Sequence, residues 1–209
     1  LISIVFFAQI TNSFSQVISN SGISHLSYEN RHQAYSYTAS MPDNGNARAI
    51  FKYPDGALGL IVNRLMSWST NATLETAQPA SLAFYRQVSG QWVANTQAVF
   101  DQANSVPGCL HPRKIIAADY NQDGTVDFAI ACHGWDAAPF AGERSRILLS
   151  QPSGKYQMDF LSPTIAFQHA GAAADLNGDG YPDLIITNGN NNSSNSAVDI
   201  FINDRTGHF

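Results

Sequence analysis

Short apolar runs alternate with turn-forming residues along most of the chain. Residues 119–127 lie between "IIAADY" and "DFAIAC", and residues 175–183 lie between "AAAD" and "DLIIT". β-Branched runs bounded by Asn, Asp and Gly predict strands. Because Ala is the best helix former, a helix is the alternative for the Ala-rich runs, but so short a helix is unstable. We therefore predict antiparallel hairpins that close through these two loops.

The two loops share one pattern of oxygen-bearing side chains. "DYNQDGTVD" over 119–127 and "DLNGDGYPD" over 175–183 place Asp, Asn and Asp at alternate positions and a further Asp four residues on. Such oxygen ligands suit Ca²⁺, whereas Asn/Asp/Gly turns without any metal are the alternative. We predict two Ca²⁺ ions. Backbone carbonyls at Thr125 and Tyr181 each supply one ligand. The other predicted ligands are the side chains of Asp119, Asn121, Asp123, Asp127, Asp175, Asn177, Asp179 and Asp183.

These loops are not EF-hands. An EF-hand needs Glu at the twelfth loop position and a helix on each side. The twelfth residues are Ile130 and Ile186, and the flanks read as strands.

The hairpins belong to a longer repeat. Each is followed by a strand, a Gly turn and an aromatic residue, in "ILLSQPSGKY" (147–156) and "DIFINDRTGHF" (199–209). An earlier copy combines "YPDGALGLIV" (53–62) with "LAFYRQVSGQW" (82–92). In it Asp55-Gly56 matches Asp123-Gly124, but Phe51 and Gly59 stand where Asp119 and Asp127 would be. We expect this first loop to bind no metal.

The chain thus holds three units of roughly 53 to 68 residues. Repeats of about this length with four short strands each predict an all-β fold made of β-propeller blades. The Ala-rich runs "IAAD" and "AGAAAD" are predicted to be innermost strands, where the blades crowd the axis. The predicted organisation is a signal-peptide remnant over 1–15, an N-terminal segment over 16–46, a degenerate blade over 47–99, a calcium-binding blade over 100–160 and a calcium-binding blade, truncated at its end, over 161–209.

The stretch "FQHAGAAADLNGDGYPDLIIT" resembles the FG-GAP/VCBS repeat, the blade of integrin α-subunit propellers and of many secreted bacterial proteins. The likeness is strong over 109–209 and weaker over 47–99. It implies a seven-bladed propeller with Ca²⁺ loops on one face. Because propellers close with four to eight blades, we expect three blades of a longer chain; oligomers that complete a ring are the alternative.

Several features predict export. "LISIVFFAQITNSFSQ" reads as the apolar core and cleavage end of a signal peptide, with a buried first strand as the alternative. Cys109 and Cys132 bracket the first Asp loop, and we predict a disulfide between them, typical of exported proteins. Free thiols, or a zinc site of Cys109, His111, Cys132 and His133, are the alternatives. The predicted location is secreted, periplasmic or on the cell surface.

Charge and hydropathy exclude some partners. The net charge is −5 and no basic cluster occurs, so nucleic acid is not expected. No apolar run reaches the length of a membrane span.

The strand order predicts two faces. One carries the Asp loops and the Gly turns, and the other the long connections over 100–113, 133–145, 161–170 and 188–197. Function is often found on such loops, and "HGWDAAPFAGER" is the richest. The candidate ligand-binding residues on this face are His111, Arg113, His133, Trp135, Arg144 and His169.

Two function classes remain. The first is a calcium-stabilised module that binds a protein or glycan partner. The second is a polysaccharide lyase or hydrolase with its site on the face opposite the calcium loops. The sequence contains no nucleophile elbow or Ser-His-Asp set, which favours binding over catalysis.

Overall fold

The computed structural model describes residues 5–7, 15–19, 22–27, 46–66, 73–100, 106–189 and 197–209. The chain divides into two compact units, Leu1–Ser40 and Met41–Phe209. In the first unit, strands β1 (Val5–Phe7), β2 (Ser15–Ser19) and β3 (Gly22–Ser27) form an antiparallel sheet in that order. Most of the predicted signal peptide (1–15), and much of segment 16–46, lies outside the described residues.

The first sheet of the second unit is an antiparallel meander. Its strands are β4 (Ala47–Lys52), β5 (Leu58–Asn63), β6 (Ser81–Val88) and β7 (Gln91–Ala94). A one-turn helix, α1 (Thr96–Val99), follows. The two-residue strand β8 (Val106–Pro107) then pairs with the start of β6.

The second sheet contains the first Asp loop. Its strands are β9 (Pro112–Ala118), β10 (Asp127–Cys132), β11 (Arg146–Ser150) and β12 (Tyr156–Phe160), each antiparallel to the next. Every residue of β10 is buried.

The third sheet contains the second Asp loop. Strands β13 (Gln168–Ala174), β14 (Asp183–Asn188) and β15 (Ala197–Phe201) are antiparallel in that order. The all-β prediction is confirmed, and the sheets have the strand order of propeller blades. The predicted total of seven blades stays a prediction.

The first strands of the three sheets are neighbours. β9 lies beside both β4 and β13, as expected for innermost strands around a propeller axis. At Gly171 in β13, an added Cβ would lie 2.7 Å from the side chain of Ile116 and 2.7 Å from the carbonyl oxygen of Ile185. Only glycine allows this approach.

Two cores hold the sheets together. Between the first and second sheets is an aromatic cluster in which the ring of Phe84 stacks on Tyr156, with centroids 5.3 Å apart, and meets Phe128 edge-on at 5.8 Å. Between the second and third sheets the core contains Tyr120 and aliphatic residues, including Ile147 and Leu184. The second sheet therefore buries one face against the first sheet and the other against the third.

The first loop differs from its predicted alignment by one residue. Phe51 pairs with Gly59 across β4 and β5, whereas Ala118 pairs with Asp127 across β9 and β10. Phe51 thus occupies the place of Ala118 and not, as predicted, that of Asp119. The shift arises because the first loop is one residue shorter, and the Phe51 ring covers Gly59 so closely that an added Cβ would overlap it.

The predicted disulfide is present. Cys109 and Cys132 are bonded, with Cα atoms 5.6 Å apart. Both residues are fully buried. Because Cys132 pairs with Pro112 at the start of β9, the bond staples the end of the hairpin away from the Asp loop. The thiols are used in this bond, so the predicted alternatives of free thiols and of a zinc site with two cysteines are wrong.

Candidate functional site

The two Asp loops join the innermost strand of a sheet to its second strand. The first connects β9 to β10, and the second connects β13 to β14. Each turns at a glycine with positive φ, 85° at Gly124 and 92° at Gly180. That conformation is costly for a residue with a Cβ, which accounts for the Asp-Gly pair in both loops.

In the first loop the oxygen side chains curl over the backbone. The carboxylate of Asp119 accepts hydrogen bonds from the N–H groups of Asp123 and Gly124, at 3.0 and 2.9 Å. The side-chain oxygen of Asn121 accepts from the Asp123 N–H at 3.1 Å. Asp123 in turn accepts from the N–H of Thr125 at 2.8 Å.

The second loop repeats this geometry position by position. Asp175 accepts from the N–H groups of Asp179 and Gly180, at 3.1 and 2.8 Å. Asn177 accepts from Asp179 at 2.9 Å, and Asp179 accepts from Tyr181 at 3.0 Å. The two sequences therefore encode one loop structure.

The last aspartate of the first loop has a different environment. Asp127 is fully buried. Its Oδ2 accepts from the N–H groups of Tyr120 and Asn121, at 2.8 and 3.3 Å. Its Oδ1 accepts from the N–H and the hydroxyl of Ser150, both at 2.7 Å. Burial raises the pKa of Asp127, and these hydrogen bonds oppose the rise.

The last aspartate of the second loop is held in the same way. Asp183 is fully buried and accepts from the N–H groups of Leu176 and Asn203, at 2.9 and 2.8 Å. The side-chain amide of Asn203 donates to the carbonyls of Tyr120 and Pro182, at 2.8 and 2.9 Å. Asn203 therefore ties the third sheet to the second.

The loops carry six carboxylates and few compensating cations. Among the described residues, one salt bridge reaches them, from Arg205 Nε to Asp179 Oδ2 at 3.1 Å. In the first sheet, by contrast, Asp55 is paired with Arg86. A protein cation thus neutralises the loop that lacks the full set of carboxylates.

A second cluster of polar side chains lies at the opposite end of the inner strands. Asp136 is its centre: Oδ1 lies 3.1 Å from His133 Nε2, and Oδ2 lies 3.1 Å from Arg113 Nη2 and 3.5 Å from His111 Nδ1. The ring centroids of His133 and His169 are 4.6 Å apart. We call these five residues the histidine cluster.

The histidine cluster pairs neutral imidazoles with an ionised carboxylate. Burial, with the nearby positive charge of Arg113, lowers the pKa of His111 to about 4. Burial also lowers the pKa values of His133 and His169. Burial opposes ionisation of Asp136, but its contacts with His133 and Arg113 hold its pKa below the ordinary value.

The histidine cluster is far from the Asp loops. His111 and Asp119 lie at the two ends of β9, and a strand rises about 3.3 Å per residue, so roughly 25 Å separates them. The two sites therefore share no ligand.

Two of the predicted ligand-binding residues contact residues outside the histidine cluster. Trp135 is 4% exposed and donates from its indole N–H to the Ala138 carbonyl at 3.3 Å. The guanidinium of Arg144 lies over the ring of Phe160, 3.4 Å from its centroid. The His and Arg113 members of the predicted set do come together.

Glu143 is a partly buried acid beside the histidine cluster. It accepts a hydrogen bond from the Leu110 N–H at 2.8 Å and pairs with Arg146 at 3.7 Å. Burial raises its pKa to about 7 despite these contacts.

Comparison with known families identifies the third sheet. Residues 167–201, which contain the second Asp loop, match the model of the FG-GAP repeat. The resemblance is thereby confirmed for these residues, and FG-GAP repeats form blades of β-propellers. No curated protein matches the chain.

Within the described residues, no helix is long and apolar enough to cross a membrane.

Sequence reasoning missed some residues of both sites. Asp136 lies in the loop "HGWDAAPFAGER" but was not among the predicted ligand-binding residues, although His133 and Asp136 are only three residues apart. Ser150 and Asn203 precede the Gly turns at equivalent positions and hold the buried aspartates. Aligning the two Gly turns reveals this equivalence, but not what these side chains contact.

Proposed function

We propose that this chain is a calcium-stabilised β-propeller module of an exported protein, and that it binds a protein or glycan partner. The observation that carries the calcium part is the pattern of hydrogen bonds that the two Asp loops share, together with six carboxylates and one described cationic partner. Like charges held this close repel one another. A bound cation removes that repulsion.

The carboxylates of the loops differ in how many lone pairs they have free to bind Ca²⁺. A carboxylate oxygen has two lone pairs, so Asp119 and Asp123 retain lone pairs after accepting backbone hydrogen bonds. Asp127 accepts four hydrogen bonds and has none to spare. In the proposed site, Asp119, Asn121 and Asp123 hold the ion in the first loop. Asp175, Asn177 and Asp179 hold it in the second.

The test of the calcium proposal is ion stoichiometry measured by calorimetry. We expect two Ca²⁺ per chain. Asp123→Ala and Asp179→Ala should each remove one ion, and Asp55→Ala should remove none because Arg86 already neutralises that residue. A hundredfold excess of Ca²⁺ over Kd should stabilise each site by about 2.7 kcal/mol. A melting temperature that chelator leaves unchanged would contradict the proposal.

The partner-binding part is supported by the histidine cluster, which gathers polar side chains on the face away from the Asp loops. FG-GAP propellers are often adhesion modules, and the disulfide suits an oxidising compartment. Binding of the chain to immobilised polysaccharides and extracellular-matrix proteins tests this. Arg113→Ala should weaken binding about tenfold, and Lys52→Ala, at the loop end of β4, should not. Equal effects of both variants, or no binding to any probe, would refute the assignment.

A carbohydrate-active enzyme is the second candidate. One observation favours it: three histidines, Arg113 and Asp136 converge in one place, as an acid–base site requires. The same panel separates the two functions, because an enzyme shortens the polysaccharide it binds and a binding module does not.

A further inference from the structure

We propose that His111, His133 and Asp136 form a binding site for a divalent transition-metal ion, for which Zn²⁺ is the best match. Each residue offers one ligand atom, and the three atoms lie within 4.8 Å of one another. This site goes beyond the proposed function and requires neither the calcium loops nor a partner.

The donor atoms lie close enough together to share one metal ion. Asp136 Oδ2 and His111 Nδ1 are 3.5 Å apart, too far for a good hydrogen bond. Asp136 Oδ1 and His133 Nε2 are 3.1 Å apart. With metal–ligand bonds of 2.0–2.1 Å, neighbouring ligands of a tetrahedral zinc ion lie about 3.4 Å apart. The two observed separations, each measured to a different oxygen of Asp136, lie on either side of that value.

Unpartnered buried nitrogens point to a missing ligand. The side chains of His111 and His133 are only 10% and 5% exposed. Nδ1 of each ring is buried without a hydrogen-bond partner. Leaving such an atom unsatisfied costs about 1–3 kcal/mol. A metal ion bound to His111 Nδ1 removes that cost at one of the two rings.

The chemistry of the donors selects the ion. Two imidazoles and one carboxylate suit zinc, copper, iron or nickel, and hard oxygen ligands suit calcium. Arg113, 3.1 Å from Asp136 Oδ2, orients the carboxylate as outer partners of metal ligands do. Three protein ligands leave a coordination position open for water or for a bound molecule.

Zinc titration tests the site. The full chain, without a histidine tag and with Ca²⁺ in excess, should bind one Zn²⁺ in calorimetry. His111→Asn and Asp136→Asn should each weaken zinc binding by at least about tenfold, since even outer partners of a ligand contribute that much. His208→Asn is the matched control, because His208 is exposed and lies outside the histidine cluster. It should leave zinc affinity unchanged.

Two further measurements distinguish loss of the zinc site from loss of the fold. Each variant should still bind as much Ca²⁺ as the wild type, which shows that the sheets are intact. Wild-type chain loaded with Co²⁺ should show the intense visible bands of a four-coordinate ion. Absence of zinc binding, absence of those bands, or equal zinc loss in His208→Asn would overturn the proposal. Zinc binding by a chain that binds no Ca²⁺ would refute the calcium proposal and leave this one standing.

Discussion

At the scale of single residues, the most informative positions are the buried aspartates that end each loop. The spacing pattern made Asp127 and Asp183 metal ligands equivalent to the other aspartates. In the structure they accept hydrogen bonds from the start of the loop and from the end of the third strand. These contacts require no ion, so the two residues stabilise the sheets even when the loops are empty.

Asp183→Asn should therefore destabilise the chain in the presence of chelator. The amide turns an N–H donor toward N–H groups, and an unsatisfied buried group costs about 1–3 kcal/mol. Asp175→Asn is the matched control, since Asp175 is exposed and water replaces its lost contacts. Urea unfolding in chelator measures both variants. Equal losses of unfolding free energy would show that Asp183 has no structural role of its own.

At the scale of elements, the sequence predicted hairpins better than registers. The apolar runs correctly indicated the strands around both Asp loops, because short runs of β-branched and small apolar residues bounded by turn residues favour strands. The Ala-rich runs are innermost strands, as the lack of room near the axis required. The Gly turns also appear where predicted, with φ of 80°, 76° and 87° at Gly90, Gly154 and Gly207.

What the sequence could not predict depends on contacts between distant residues. The sequence did not reveal that the first loop is one residue shorter than the first Asp loop, because the alignment rested on Asp55-Gly56 alone. Helix α1 was missed because one turn carries no periodic signal. It is held instead by the Thr96 hydroxyl, which accepts from the Phe84 N–H at 2.9 Å. The histidine cluster was predicted in part, since strand order brings the ends of β9, β10 and β13 together but does not orient Trp135 or Arg144.

At the scale of the second unit, the sheets are covered unequally. The second sheet is buried by aromatic residues on one side and by the third sheet on the other. The opposite face of the third sheet is apolar and open: Val198 is 54% exposed and Ile200 is 61% exposed. Ile200 pairs with Ile185, so their side chains share this face. Contiguous exposed apolar surface marks an interaction site, and a further blade is the partner that an FG-GAP repeat implies.

Without such a blade, this face should make the 209-residue chain self-associate. Ile200→Lys places a charge in the contact and should weaken self-association at least about tenfold, which corresponds to about 1.4 kcal/mol. Val93→Lys is the control, because Val93 is 49% exposed but lies on β7 of the first sheet. Sedimentation velocity over a range of concentrations measures the effect, and binding of a dye specific for apolar surface should fall in parallel. A wild-type chain that stays monomeric and binds no dye would show that this face needs no cover. Equal effects of the two lysines would place the contact elsewhere.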